Sequence, residues 1–493
     1  MINKTILAIA AVGAIAATGA ASQVVQVQSG TLNGVTAEGV VSFKGIPYAA
    51  PPVGDLRWRA PQPVESWAGV RAADKFGPIC MQKITPDNGV GPGPASEDCL
   101  TLNVFAPTGA KHLPVMVWIH GGGFVNGSAT AALYDGSALA RQGVVVVTVN
   151  YRLGRFGFFA HPALTAEQKD VAVANYGLMD QIAALKWVKR NIGVFGGDPA
   201  NVTIFGESAG GMAVNRLMMI REARGLFAKA IVESGVGREK GQTLAEAETD
   251  GAAFATKLGA GSDAASLRAL PAGKIIAAGD PDVLKGELPI LDGRMLAENP
   301  ADAFAAGRVA QVPYLVGSNS LEFPGAWAGG MRAKLVHLTP DQQAAMVKAY
   351  GDQATFDNHI LSDVIFGEPA RWLAGETAKQ GIPTYLYRFS VVAAKTPAPL
   401  AGGAVHASDR QYVFKTLNAS PWPTDARDAA LADTISAYWV AFAKTGDPNG
   451  EGRPHWPRYG AGDELINFTN DGPVAEKTPD AAALDLIGAG QKP

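Results

Sequence analysis

The sequence predicts an α/β protein with a mostly parallel central sheet and helices on both faces. Three observations predict it. Short apolar runs recur along the chain, a segment with helical periodicity lies between them, and glycine and polar residues gather where the runs end. Apolar runs separated by helices are what a parallel sheet covered on both faces requires. Open sheets of this kind bind ligands at the carboxyl ends of their strands.

The clearest runs are residues 113–119, 144–149, 202–205, 228–232, 312–316 and 385–390. The first ends at His120, Gly121, Gly122 and Gly123, the second at Asn150, Tyr151 and Arg152, and the third at Gly206. The fourth ends at Glu233, Ser234 and Gly235, and the fifth at Gly317, Ser318 and Asn319. Between the second and third runs, Leu178, Ile182, Leu185 and Val188 recur at helical spacing, which predicts a helix over residues 175–191. No internal repeat or long linker divides the chain, so residues 23–493 read as a single domain.

Composition narrows the function. The chain has 493 residues, 47% hydrophobic and 18% charged, enough to bury a large core. Its 42 basic and 45 acidic residues leave a formal net charge of −3, with no basic excess to neutralise a phosphate backbone; nucleic acid is not an expected partner. No strand leads into a Gly-x-Gly-x-x-Gly helix start, which disfavours a nucleotide-dependent oxidoreductase. At the N-terminus, Lys4, an apolar and small-residue stretch over 5–17 and small residues at 18–22 read as an export signal, cleaved after Ala21 or Ser22. The apolar run is too short to span a bilayer, so the mature chain is expected to carry no membrane anchor and to be secreted or periplasmic. In an oxidising compartment the only two cysteines, Cys80 and Cys99, suggest a disulfide.

The chemistry enters at Gly206-Glu207-Ser208-Ala209-Gly210, a G-x-S-x-G motif between a strand and a small-residue helix start. A serine on a strand-to-helix turn projects its hydroxyl above the sheet, and glycines two residues to either side let the neighbouring backbone pass. That makes Ser208 the candidate nucleophile. The His120 glycine loop is the candidate oxyanion hole, with amides of Gly122, Gly123 and Ala209 as donors to a developing oxyanion. His120 precedes the serine, so the chain order Ser, acid, His leaves it a loop-anchoring role. Of the later histidines, His406 sits among small residues in a loop, whereas His337 and His359 sit in polar, helical-looking surroundings and His455 in a proline-flanked loop. Glu322, just past the fifth run, is the candidate acid, with Asp357, Asp363 and Asp409 as rivals on spacing.

Taken together these residues resemble the type-B carboxylesterase and cholinesterase-like family. The resemblance runs from Phe43-Lys44-Gly45-Ile46-Pro47 and Leu56-Arg57-Trp58, through Glu97-Asp98-Cys99-Leu100, the glycine loop and the serine motif, to Gly446-Asp447-Pro448-Asn449. It implies an α/β-hydrolase fold with family insertions and a serine esterase acting on small-molecule esters. Ser208, Glu322 and His406 would form the triad, Gly317, Asn319 and Glu322 matching the family's acid motif. It also implies a Cys80–Cys99 disulfide, ion pairs Arg57–Glu97 and Arg152–Asp180 in the scaffold, Glu207 as an electrostatic aid in the pocket, and Ser234 as support for the acid. Leu321 and Phe323 beside Glu322, and Ala407 and Asp409 after His406, depart from the family pattern, so the pocket is expected to differ in shape from the family's. Such chemistry needs no metal or organic cofactor. An amidase or polyester hydrolase would carry the same triad, and a non-catalytic binding protein could share the fold.

Overall fold

The computed structural model describes residues 21–84, 90–91, 93–282, 287–400 and 402–491. The expected export segment lies outside them except for its last two residues. Ala21 and Ser22 already belong to the first strand, β1 (Ala21–Val27), which pairs antiparallel with β2 (Gly30–Ala37) through Ala21 and Thr36. Among the described residues the sheet begins at residue 21.

β3 (Val40–Pro47) continues this antiparallel edge, and the short β4 (Val70–Ala72) lies beside β2. A separate two-stranded piece, β5 (Ile79–Cys80) with β6 (Ala95–Ser96), carries one end of the disulfide. The sheet proper follows with β7 (Thr101–Pro107), β8 (Leu113–Ile119), β9 (Val145–Val149), β10 (Gly197–Glu207) and β11 (Lys229–Glu233). β12 (Tyr314–Asn319), β13 (Thr384–Phe389), β14 (Glu464–Thr469) and β15 (Gly472–Lys477) complete it. The spatial order is β1-β2-β3-β7-β9-β8-β10-β11-β12-β13-β14-β15, and from β9 to β14 every neighbouring pair is parallel.

All six predicted runs are strands, but the ladders move their ends. β10 reaches back to Gly197, opposite Leu113, across a break in register, and forward to Glu207, opposite Glu233. β12 starts at Tyr314, after Pro313, which has no N–H to donate, and runs on to Asn319 opposite Phe389. Its last three residues look like loop in the sequence; pairing with β13 makes them strand. The helix runs over Tyr176–Asn191. Asn175 stands just outside it, its carboxamide bonded to the backbone of Ile290 on both sides (2.7 and 2.9 Å).

Alternation along the strands builds two cores. Val115, Val117 and Ile119 of β8 face one side, packed with Leu178, Ile182 and Leu185 of the Tyr176–Asn191 helix and with Ala213 and Leu217 of helix Ala209–Met219. Met116 and Trp118 face the other, with Phe205, Ile231, Tyr387 and with Ile435, Trp439 and Phe442 of helix Ala426–Thr445. Removing a buried side chain of Trp118's size typically costs about 3–5 kcal/mol. The long connections after β11 and β12 carry extra helices, including Gly325–Leu335, Gln353–Ser362 and Glu368–Lys379; Leu335 and Pro369 of the first and last line the cavity above Ser208.

The two scaffold pairs form as the resemblance implies. Arg152 grips Asp180 with two bonds (2.8 and 2.7 Å), both side chains buried, tying the end of β9 to the sheet-covering helix. Arg57 meets Glu97 through Nε and Nη2, the Nε bond at 2.6 Å.

Candidate active site

Ser208 occupies the turn between β10 and helix Ala209–Met219, at φ 57° and ψ −123°. A non-glycine residue held there stores on the order of 1–3 kcal/mol of strain. The neighbourhood enforces it: the Ser208 amide donates to Glu233 O (2.8 Å), and the Ser208 carbonyl accepts from the Met212 amide (2.8 Å). The flanking glycines are steric necessities. A Cβ on Gly210 would lie 2.0 Å from Ile119 O, and one on Gly206 would lie 2.6 Å from Gly210 C. The helix start therefore presses directly against the end of β8, and the serine is the residue left projecting.

The structure brings Glu322 and His406 to this serine. His406 Nε2 is 2.9 Å from Ser208 Oγ, and His406 Nδ1 is 2.6 Å from Glu322 Oε2. The loops that carry them are stitched together. The His406 amide donates to Glu322 O (2.9 Å), the Leu321 amide to Ala404 O (3.0 Å) and Asn319 Nδ2 to Val405 O (2.8 Å). Glu322 is fully buried, and its other carboxylate oxygen accepts from Ser234 Oγ (2.5 Å) and the Asn319 amide (2.8 Å). The rivals are engaged elsewhere. Asp357 pairs with Arg332 (2.6 Å), Asp363 accepts from Tyr350 OH (2.7 Å) and Asp409 from Tyr387 OH (3.3 Å). Among the described residues, His406 is the histidine that bonds Ser208; His337 and His455 are exposed, and His359 packs near Tyr350.

Electrostatics concentrate on the same imidazole. Burial pulls the His406 pKa down, but the Glu207 and Glu322 carboxylates outweigh it and hold it up, at about 9. Glu207 Oε1 is 3.3 Å from His406 Nε2, and Arg410 approaches the other Glu207 oxygen at 3.8 Å. Burial raises the Glu207 pKa, with Arg410 and His406 opposing the rise. Behind Glu207 lie two more buried acids. Glu233, held by Trp439 Nε1 (2.7 Å), is pushed well up by burial and by Asp409, and Asp409 rises to about 7 through burial and the nearby carboxylates Glu207 and Glu322.

The glycine loop turns at Gly122, Gly123 and Phe124, all at positive φ (101°, 61° and 60°). The amides of Gly122, Gly123 and Ala209 donate to no acceptor among the described residues. Gly123 and Ala209 line the same cavity as Ser208 and His406, and Gly121 packs so tightly that a Cβ there would lie 3.1 Å from Ser208 Cβ. His120 stacks on Tyr151 (4.5 Å between ring centroids) with its Nδ1 2.9 Å from Gly121 O; burial lowers its pKa to about 4 and keeps it neutral.

The cavity holds about 470 Å³; Met212, Val236, Phe323, Leu335, Ile365 and Phe366 give it an apolar lining, and Arg238, Glu239 and Lys240 line it as well. Phe323 and Phe366 both lie over the His406 ring, with centroids 5.1 and 5.0 Å away. Phe366 belongs to a single π-helical turn, Asp363–Gly367, of the kind often found at functional sites. A larger groove of about 1090 Å³ beside Met179, Trp187 and Arg294 holds none of the motif residues. Cys80 and Cys99 are joined, with 2.05 Å between the sulfurs. Among the described residues no group of three or more His, Cys, Asp or Glu side chains could hold a metal ion, and no helix is long and apolar enough to cross a membrane.

Sequence reading missed several neighbours of the site. Arg410 directly follows Asp409 and Trp439 lies seven residues before Gly446, but their contact with buried acids is a tertiary fact. Phe366 carries no local signal. Gln82, two residues after Cys80, bonds Gly127 of the glycine loop, and its place beside the disulfide is the clue that was available.

Residues 21–345 and 356–486 match the profile of the Carboxylesterase family. The chain belongs to the carboxylesterase family. It is 38% identical over 472 residues to fumonisin B1 esterase of Sphingopyxis macrogoltabida, covering 90% of this chain and 85% of that one. It is 39% identical over 463 residues to para-nitrobenzyl esterase of Bacillus subtilis (strain 168), covering 89% and 92%. A solved thermophilic PNB esterase superposes with a TM-score of 0.83 at 36% identity, over 94% of this chain and 99% of that one. This carboxylesterase thus has the α/β-hydrolase fold and is an ester-hydrolysing enzyme.

Proposed function

We propose that this carboxylesterase hydrolyses small-molecule esters through an acyl-enzyme on Ser208. The observation that carries the reading is the continuous relay from Ser208 Oγ through both nitrogens of His406 to Glu322. In the first step Ser208 Oγ attacks the ester carbonyl while His406 Nε2 takes its proton. Glu322, bonded to Nδ1, fixes the tautomer and stabilises the imidazolium, and Ser234 holds Glu322 in place. The amides of Gly122, Gly123 and Ala209 hold the oxyanion. His406 then returns the proton to the leaving alcohol, and water releases the acid by the reverse path. Glu207 adds negative charge beside the imidazolium without entering the relay.

The mature enzyme is proposed to begin near residue 22 after removal of an export signal and to work outside the cytoplasm, as the disulfide favours. Mass measurement of the exported chain tests that boundary. The mechanism is tested with a short-chain nitrophenyl ester and with Ser208→Ala. Wild-type turnover should fall by about 10⁴-fold or more in a folded mutant. Equal, slow hydrolysis by both proteins would remove Ser208 from the chemistry.

A further inference from the structure

Gln82 is 4% exposed and stands two residues after the cross-linked Cys80. Its carboxamide forms a closed pair with the backbone of Gly127: Gln82 Nε2 donates to Gly127 O (2.9 Å), and the Gly127 amide donates to Gln82 Oε1 (2.9 Å). Nε2 also donates to Cys80 O (3.0 Å). A buried side chain that satisfies both donors and one acceptor in this way has its orientation fixed.

Gly127 is where the glycine loop closes on itself. A Cβ there would lie 2.5 Å from Gly121 O and 2.5 Å from His120 Nδ1. Between these ends the backbone runs through three successive positive φ angles, the last at Phe124, where a side chain makes that conformation costly. Inside the loop the Val125 and Asn126 amides both donate to Gly122 O (3.1 and 3.0 Å), which turns that carbonyl inward. The entry to the loop is held by His120 on Tyr151, and its exit by Gln82.

We infer that Gln82 is a positioning residue for the oxyanion hole. Braced by the Cys80–Cys99 crosslink, its carboxamide holds Gly127 against Gly121 and so keeps the Gly122 and Gly123 amides aimed at the substrate carbonyl. This rests on the oxyanion role assigned above to those amides. Gln82 touches no substrate; it acts through the loop.

The test uses Gln82→Leu, which removes all three bonds, and Gln82→Glu, which keeps the shape and the acceptor for the Gly127 amide but loses the donors. Each is assayed on nitrophenyl acetate and titrated with an alkyl trifluoromethyl ketone, whose adduct with the serine places an oxyanion in the hole. Gln82→Leu should lower kcat by about 10- to 100-fold, below the cost of deleting an oxyanion donor outright, with KM within about threefold. Affinity for the ketone should fall by a similar factor. Gln82→Glu should lie between Gln82→Leu and wild type, and serves alone if Gln82→Leu does not fold. If folded variants keep kcat and ketone affinity within about twofold of wild type, Gln82 only fills space and the inference is wrong. Ser208→Ala separates the two readings: if it stays active the acyl-enzyme mechanism fails, whereas an inactive Ser208→Ala beside unaffected Gln82 variants overturns this inference alone.

Discussion

Around Ser208 the backbone does the positioning, whereas across the cavity side chains do it. The floor consists of the ends of β8, β10, β11 and β12, tied into one parallel ladder, with turns in which a single added Cβ would collide with main-chain atoms. The wall consists of helices inserted after β12, and it meets the floor through contacts such as Ser362 Oγ with the Phe323 amide (3.0 Å) and the Phe366 ring on His406. Backbone held by neighbouring backbone has one solution. Apolar side chains around an open volume have several, because swaps that conserve volume are tolerated. In the proposed mechanism the floor carries the reaction, and the wall is expected to set the preference among esters.

The largest expected effect breaks this contrast if it fails. Gly210→Ala places a methyl 2.0 Å from Ile119 O, with no flexible side chain to yield. It should destabilise by more than about 4 kcal/mol or abolish folding, the range reserved for severe steric and strain effects. Leu335→Ala in the wall should leave a folded enzyme that keeps its activity on a short acetate ester and changes its ranking of longer esters. Thermal unfolding and a chain-length panel measure both. Equal losses in the two variants would mean that floor and wall are a single unit.

The same division governs what the sequence reveals. Ser208 and the glycine loop stand out in the sequence because backbone geometry demands glycines at short spacing around them, whereas Glu322 and His406 stand out only through the family resemblance, with Asp357, Asp363 and Asp409 rivalling the acid on spacing. The strand runs are legible too, because both faces of the sheet are buried. The wall is not. Phe366 reaches His406 only because a π-helical turn 160 or so residues after the elbow folds back over it, and nothing local in that segment announces the contact. The strand ends at Asn319 and Glu207 are also hidden, since ladder partners rather than apolarity decide where they stop. The buried acids Glu233 and Asp409 look like ordinary surface carboxylates until the helix bearing Trp439 covers them.

A smaller effect concerns the brace beneath the floor. The Cys80–Cys99 bond closes a loop of sequence separation 19 and is worth on the order of 3 kcal/mol in the chain-entropy account. Replacing both cysteines with alanine should lower the denaturant midpoint accordingly. Because Gln82 follows Cys80, turnover should fall as well, while the ranking of long against short esters stays as in the wild type. A changed ranking with unchanged turnover would place the crosslink with the wall instead.

The smallest expected effect is a displacement along the pH axis. In the proposed mechanism His406 must be neutral to accept the serine proton, and two carboxylates hold its pKa up at about 9, so kcat/KM should climb with pH through that region. Glu207→Gln removes one of the two charges that favour the imidazolium, so the midpoint should move to lower pH. The sign for stability runs the other way. The raised pKa means that the folded protein favours the protonated ring, so this contribution is fully present below the ordinary value near 6.5 and is lost as pH rises through about 9. Glu207→Gln should therefore narrow that window from its upper edge, seen as a weaker decline in melting temperature between neutral and alkaline pH. Leu335→Ala, which changes no charge, should move neither midpoint. If it shifts the kcat/KM profile as far as Glu207→Gln does, the wall sets the histidine's charge through water exclusion, and the separation of floor from wall does not extend to electrostatics.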